Sequence, residues 1–193
     1  MYGTVFAACG NEYFDCPNVR LEDGEVFVDL GVYDGCTSAQ VARMCNYKKI
    51  IGLEANHYMY EKSKEMLGDY RDIEIYPYAA GDKKENLKLH LADAGSAITD
   101  QGEECVLGES LDNILNGEKA TFIKMDIEGA EAKALIGASS TISKWKLKLA
   151  ISLYHKPEDV FEIPSILMDI RDDYRFYIRH YTSVNAGTCL YAY

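Results

Sequence analysis

Two kinds of hydrophobic pattern alternate along this chain. Short apolar runs are bounded by polar or glycine-bearing turns, and between them lie stretches in which apolar residues recur every three or four positions. The first kind reads as a strand buried on both faces, the second as a helix with one packed side. Glu25-Val26-Phe27-Val28-Asp29-Leu30 predicts the first strand, and a turn holding Gly31 and Gly35 leads into a helix over 37–46 with Thr37-Ser38 as its expected N-cap. Lys48–Glu54 predicts the second strand, and Asn56 caps a helix on which Tyr60, Ser63, Met66 and Leu67 share a face. Ile73–Tyr78 predicts a third strand that ends in the small-residue turn Ala79-Ala80-Gly81-Asp82.

The pattern then changes. Leu87, Leu89 and Leu91 alternate with Lys88 and His90, the signature of a half-buried antiparallel strand. With the acidic, glycine-bearing stretch 93–104 and Cys105-Val106-Leu107 it predicts a hairpin insert over about 86–107, its loop at the sheet edge. After a helical turn at Ser110–Leu115, Thr121–Asp126 is the fourth parallel strand, and alternation puts Lys124, Asp126 and Glu128 on one side. A single helix follows through Ala134, Leu135, Ala138 and Ile142, then a fifth strand, Leu147–Tyr154, ending at His155-Lys156-Pro157. The next helix is expected to be interrupted near Pro164, with Val160, Phe161, Ile163, Ile166, Leu167 and Ile170 inward. Tyr174–Tyr181 and Thr188–Tyr193, joined by Ser183-Val184-Asn185-Ala186-Gly187, close the chain as a hairpin.

The sum is an α/β fold: a mostly parallel sheet, helices on both faces and a C-terminal antiparallel hairpin. Residues 1–24 form a lead-in, and 25–193 a single domain without repeat or linker. In the lead-in, Asn11-Glu12-Tyr13-Phe14 before Cys16-Pro17 reads as a short helix or packed segment that caps the sheet or covers a ligand.

Charge narrows the function. A net charge of −11 and a pI near 4.8 repel phosphate surfaces, so neither nucleic acid nor an anionic membrane is an expected partner. The basic segment Lys144–Lys148 reads as a solvated loop. Six scattered cysteines without a C-x-x-C pair predict reduced thiols and a cytoplasmic setting. The first residues lack the basic start and length of a signal peptide, and no apolar run is long enough to span a bilayer.

In an open parallel sheet, ligands bind beyond the carboxyl ends of the strands. Those ends carry Asp29 and Gly31, Glu54, Ala79 and Ala80, Asp126 and Glu128, and His155. Asp29 and Asp34 flank the G-x-x-x-G turn with carboxylate, which suits a cation better than a pyrophosphate. Glu54 lies about twenty residues past that turn, where nucleotide-binding folds place the acid that accepts from ribose hydroxyls. Ala79 and Ala80 are small enough to flank a flat ring, whereas Asp82 reads as holding its turn. Cys36, with no adjacent base, reads as a small packed residue.

The blocks Phe27–Gly35, Gly52-Leu53-Glu54-Ala55, Ile123-Lys124-Met125-Asp126-Ile127-Glu128-Gly129-Ala130-Glu131, Leu153–Asp159 and Arg179-His180-Tyr181 resemble the FkbM family of S-adenosylmethionine-dependent methyltransferases over about residues 12–193. The resemblance implies a Rossmann-like class I methyltransferase fold, with a seven-stranded sheet and the last strand antiparallel. It implies methyl transfer to a hydroxyl of a small-molecule or sugar substrate. On its terms Asp29, Gly31 and Gly35 hold the methionine part, Glu54 the ribose and Ala79 and Ala80 the adenine, and Tyr33, Asp34, Ala55 and Asp126 also touch the cofactor. Asp126, Glu128 and His155 are the rim groups able to handle the acceptor, with His155 the natural general base. His155 and Ser96, in the insert, are the candidate acceptor contacts, and Glu131 reads as a helix-terminus acid serving the dipole alone. Asp126, Glu128 and His155 could also ligate a divalent ion, but their sequence spacing is not that of metal ligands, so none is assigned. The competing expectations are a nicotinamide-dependent oxidoreductase, disfavoured by the missing third glycine, and a methyltransferase-like domain that binds without chemistry.

Overall fold

The computed structural model describes residues 12–92, 95–184 and 186–193. The start of the lead-in (1–11), two positions of the insert loop (93 and 94) and one in the closing turn (185) lie outside the described residues, with the expectations that fall on them. In chain order the elements are β1 (Val26–Leu30), α1 (Cys36–Met44), β2 (Lys49–Leu53), α2 (His57–Leu67), β3 (Ile73–Tyr76), β4 (Tyr78–Gly81), β5 (Glu85–His90), β6 (Ala97–Ile98) and β7 (Glu104–Ser110). There follow α3 (Leu111–Leu115), β8 (Phe122–Met125), α4 (Glu131–Ile136), α5 (Ser139–Trp145), β9 (Lys148–Ser152), α6 (Asp159–Ile170), β10 (Phe176–His180) and β11 (Thr188–Ala192).

All five residues of β1 are buried, as a continuous apolar run at the centre of a sheet requires. It lies between β2 and β8, parallel to both, in a seven-stranded sheet ordered β10-β11-β9-β8-β1-β2-β3. The closing hairpin supplies the antiparallel part, since β11 runs against β9 and β10 against β11. The chain winds outward from β1 in both directions, and a crevice opens at such a reversal of strand order.

One face of the sheet packs Val28, Leu30, Ile123, Met125 and Ile151 against Leu135, Ile142, Ile163 and Leu167 of α4, α5 and α6. On the other face, Phe14 of the lead-in meets Phe27 and Phe122 with ring centroids 6.0 and 5.9 Å away. The lead-in therefore caps the sheet.

Several expectations fail, each for a local reason. The N-cap of α1 is Gly35, at φ 89°, which has no side chain to offer as a cap, and the Ser38 hydroxyl donates instead to Asp29 Oδ2 at 2.7 Å. The run 73–78 is two strands. Pro77 has no N–H for the ladder, so β3 stays in the main sheet while β4 leaves to pair in parallel with β7. Ala79 and Ala80 thus lie in a strand, and the insert is part of a second sheet ordered β4-β7-β5-β6. The helix after Glu131 breaks at Gly137, where a Cβ would stand 2.0 Å from the Gly81 carbonyl oxygen. Asp112 accepts from the N–H groups of Ser140 and Thr141 at 2.9 Å each and so restarts the chain as α5. Conversely, α6 continues through Pro164, and its Val160 and Phe161 are exposed rather than inward. Cys36 is disulfide-bonded, so the expectation of reduced thiols fails there; Cys16, Cys45, Cys105 and Cys189 are free. No helix among the described residues is long and apolar enough to cross a membrane.

Candidate functional site

A cavity of about 340 Å³ opens beyond the ends of β1, β2 and β8, within the size range of small-molecule sites. Its wall takes Gly31 to Asp34 from the first turn, Glu54 to Asn56 from the end of β2, Tyr78 to Ala80 from β4 and Gly95 and Ser96 from the insert. Lys124, Asp126, Ile127 and Glu128 come from the end of β8, and Glu12 and Tyr13 from the lead-in.

One half is built from main chain. At Gly31, φ is +83° and a Cβ would lie 2.0 Å from the Asp126 carbonyl oxygen, so only glycine lets the ends of β1 and β8 approach this closely. Tyr33, at φ 54°, donates its N–H to Glu54 Oε2 at 2.7 Å, and the Asn56 N–H donates to Oε1 at 2.8 Å. Burial pushes the Glu54 carboxyl above its usual range, and these two backbone donors only partly offset it. Asn56 caps α2, its side-chain oxygen accepting from the N–H groups of Tyr58 and Met59, and its amide donates to Ser96 Oγ at 3.0 Å. Ser96 thus binds the Asn56 cap near Glu54, while its neighbour Gly95 lies against Glu128, where a Cβ would stand 2.9 Å from the carboxylate. Asp34 lines the mouth as expected and accepts from the Cys36 N–H at 3.1 Å.

Asp29 is not on the cavity wall. It is fully buried, 3.0 Å from Lys124 Nζ, and with the Ser38 bond it ties β1 to β8 and α1. Lys124 also donates to the Gly31 carbonyl at 2.6 Å. Burial alone would favour its neutral form, but Asp29, Asp126 and Glu54 hold it charged, its pKa above the ordinary value.

The other half is built from side chains. Asp126 Oδ2 accepts from the Tyr13 hydroxyl at 2.7 Å, and Oδ1 from the Tyr154 hydroxyl at 2.9 Å. Burial works to raise the Asp126 pKa, but Lys124 and the Tyr13 hydrogen bond outweigh it and keep the pKa below the usual carboxylate range. Glu128 sits at φ 55° and, half-buried beside Asp126, has its pKa raised. His155, expected on the rim, lies behind the wall: its side chain is 7% exposed, with Nδ1 2.9 Å from Glu131 Oε1. Its Nε2 faces Asp126 Oδ1 at 3.4 Å and Glu128 Oε2 at 3.3 Å. Burial lowers the histidine pKa, but the three acids more than reverse this. Glu131 does more than serve a helix dipole. It is fully buried, accepts from the Ile127 N–H at 2.9 Å and orients the imidazole. Local pattern showed neither this nor Tyr13, although Glu131 lies in the block 123–131.

Residues 29–177 match the family model described as the methyltransferase FkbM domain. The chain belongs to the FkbM methyltransferase family. Its fold superposes on the methyltransferase FkbM of Methylobacillus flagellatus KT with a TM-score of 0.80 and 29% identity, covering 95% of this chain and 47% of that one. This FkbM chain therefore spans about half the length of that protein. A precorrin-6y C5,15-methyltransferase of Geobacter metallireducens GS-15 aligns at TM-score 0.60 and 13% identity, over 91% of this chain and 82% of that one. Aeropyrum pernix fibrillarin, solved with natively bound S-adenosyl-L-methionine, also aligns at 0.60 and 13%, over 91% and 70%. At such identity these two share the class I methyltransferase fold with this chain. No curated protein matches the sequence.

Proposed function

We propose that this FkbM protein is an S-adenosylmethionine-dependent methyltransferase acting on a hydroxyl of a small-molecule or sugar acceptor. The observation that carries the cofactor reading is Glu54. Both of its oxygens are pinned by backbone N–H groups, which leaves each a second lone pair for a vicinal diol such as a ribose. The lining fits the rest of the group. Among the described residues, five carboxylates, Glu12, Asp34, Glu54, Asp126 and Glu128, line the cavity with one cation, Lys124, a potential that favours a positively charged ligand. Val32, Met59, Ala79, Ala80 and Tyr78 supply apolar wall for an adenine.

When bound, S-adenosylmethionine supplies a methyl group already activated on a positive sulfur. What remains for the protein is to align an acceptor and take up its proton. Gly31, Tyr33, Asp34 and Ala55 border the cofactor, while Asp126 and Glu128 meet the acceptor; Gly35, expected beside the cofactor, instead turns its Cα toward Leu67 and Ser63 of α2. His155 is a positioning residue in this scheme, because it stands behind both acids. The net charge of −11 fits a small acceptor better than nucleic acid.

Isothermal calorimetry with S-adenosylhomocysteine and with NAD tests this reading. Binding of S-adenosylhomocysteine without NAD is the expected result. NAD binding in the absence of S-adenosylhomocysteine binding would replace it with the oxidoreductase.

A further inference from the structure

We propose that His155, Asp126 and Glu128 form a divalent-cation site at the acceptor end of the cavity, with Glu131 supporting the histidine from behind. The inference rests on the side chains themselves and does not depend on the transfer reaction.

His155 Nε2 is buried and makes no hydrogen bond among the described residues. It points between Asp126 Oδ1 at 3.4 Å and Glu128 Oε2 at 3.3 Å. A charge-assisted hydrogen bond would draw such atoms to about 2.7–2.9 Å. Ligands held at roughly 2.0–2.2 Å around one small cation keep about 3.0–3.4 Å from each other. Both distances from Nε2 fall in that range.

The surroundings agree. Nδ1 at 2.9 Å from Glu131 Oε1 reproduces the carboxylate–histidine arrangement that fixes the tautomer and turns the Nε2 lone pair toward a metal. The Tyr13 and Tyr154 hydroxyls fix the Asp126 carboxylate in the same way. One donor atom from each of Asp126, Glu131 and His155 lies within 4.8 Å of the others, so the supporting carboxylate and Asp126 both stand close to the imidazole. Charge also asks for a cation. Three carboxylates converge here, and the nearby Lys124 is shared with Asp29 at 3.0 Å. Glu131 Oε2 is buried without a hydrogen bond among the described residues, which is costly unless positive charge lies close. One imidazole with two carboxylates suits a first-row divalent ion.

The test strips the protein with EDTA and titrates it with Mn²⁺, following the loss of the free-ion electron paramagnetic resonance signal. A single bound Mn²⁺ with nitrogen modulation from an imidazole, displaceable by Zn²⁺, is expected, together with a melting temperature that falls on chelation. Glu128→Gln, on a half-exposed side chain that folding tolerates, should weaken Mn²⁺ by about tenfold or more, and His155→Gln should abolish the nitrogen signature. Absence of bound Mn²⁺, Zn²⁺ and Mg²⁺ at millimolar concentration would overturn the site. Binding without nitrogen modulation that survives Glu128→Gln would overturn it as well, reducing the metal to loose association with surface acids.

Discussion

Glu54 and Asp126 are mirror images with opposite support. Each is the first residue after a parallel strand flanking β1, and each faces the same cavity. Glu54 is held by main-chain N–H groups that come with the turn after β1 and the entry to α2, and burial raises its pKa. Asp126 is held by two tyrosine hydroxyls from 113 residues before it and 28 after, and Lys124 helps to lower its pKa against burial. Backbone support is local and common to any chain that makes the turn. Side-chain support is assembled by tertiary packing and can differ from one chain to the next. A cofactor common to a family suits the first kind of scaffold, and an acceptor particular to one enzyme suits the second.

The substitution that erases the comparison is Gly31→Ala. The new Cβ would lie 2.0 Å from the Asp126 carbonyl at a φ of +83°, so both halves would have to separate. A stability loss of about 3 kcal/mol or more is expected in urea unfolding, with cofactor and metal binding lost together. Wild-type stability would mean that the two halves are not joined through this turn.

Glu54→Ala separates the halves. It should weaken S-adenosylhomocysteine by about 1.5–3 kcal/mol, the worth of hydrogen bonds to a charged acceptor, while leaving Mn²⁺ binding as it was. Asp126→Asn should do the reverse. Equal losses of both ligands in either variant would show one coupled site.

The first half was also the legible one. The apolar run 26–30, Gly31, Gly35 and an acid after the next strand are local signals, and they identified the turn, Glu54 and the Asn56 cap. What escaped was non-local. Nothing near Tyr13 announces Asp126, and helical periodicity cannot show that the Glu131 carboxylate folds back on Ile127 and reaches His155 across 24 positions. Asp29 read as a ligand because it precedes the glycine turn. Its engagement with Lys124 follows from the register that sets Asp29 beside Lys124 in neighbouring strands. Two misses had a visible cause. Pro77 inside a strand run and Gly137 inside a helical pattern both marked the breaks at which the structure departs.

The smallest effect concerns pH and depends on the opposite shifts of the two acids. Burial holds the Glu54 carboxyl above its ordinary 4.5, so on acidification it gains a proton before exposed glutamates do. A neutral carboxyl is the weaker acceptor, so hydroxyl binding weakens as pH falls through the raised value. S-adenosylhomocysteine affinity should therefore decline from neutrality toward pH 4.5, by no more than about the 1.5–3 kcal/mol at stake in Glu54 hydrogen bonds. Asp126 is shifted the other way and stays ionised across this window, so it contributes nothing to the slope. Glu54→Gln, which cannot titrate, provides the control, because any titration of the ligand itself appears equally in both proteins. A wild-type profile parallel to that of Glu54→Gln would mean that the acid bound to two backbone amides is not the one the ribose meets.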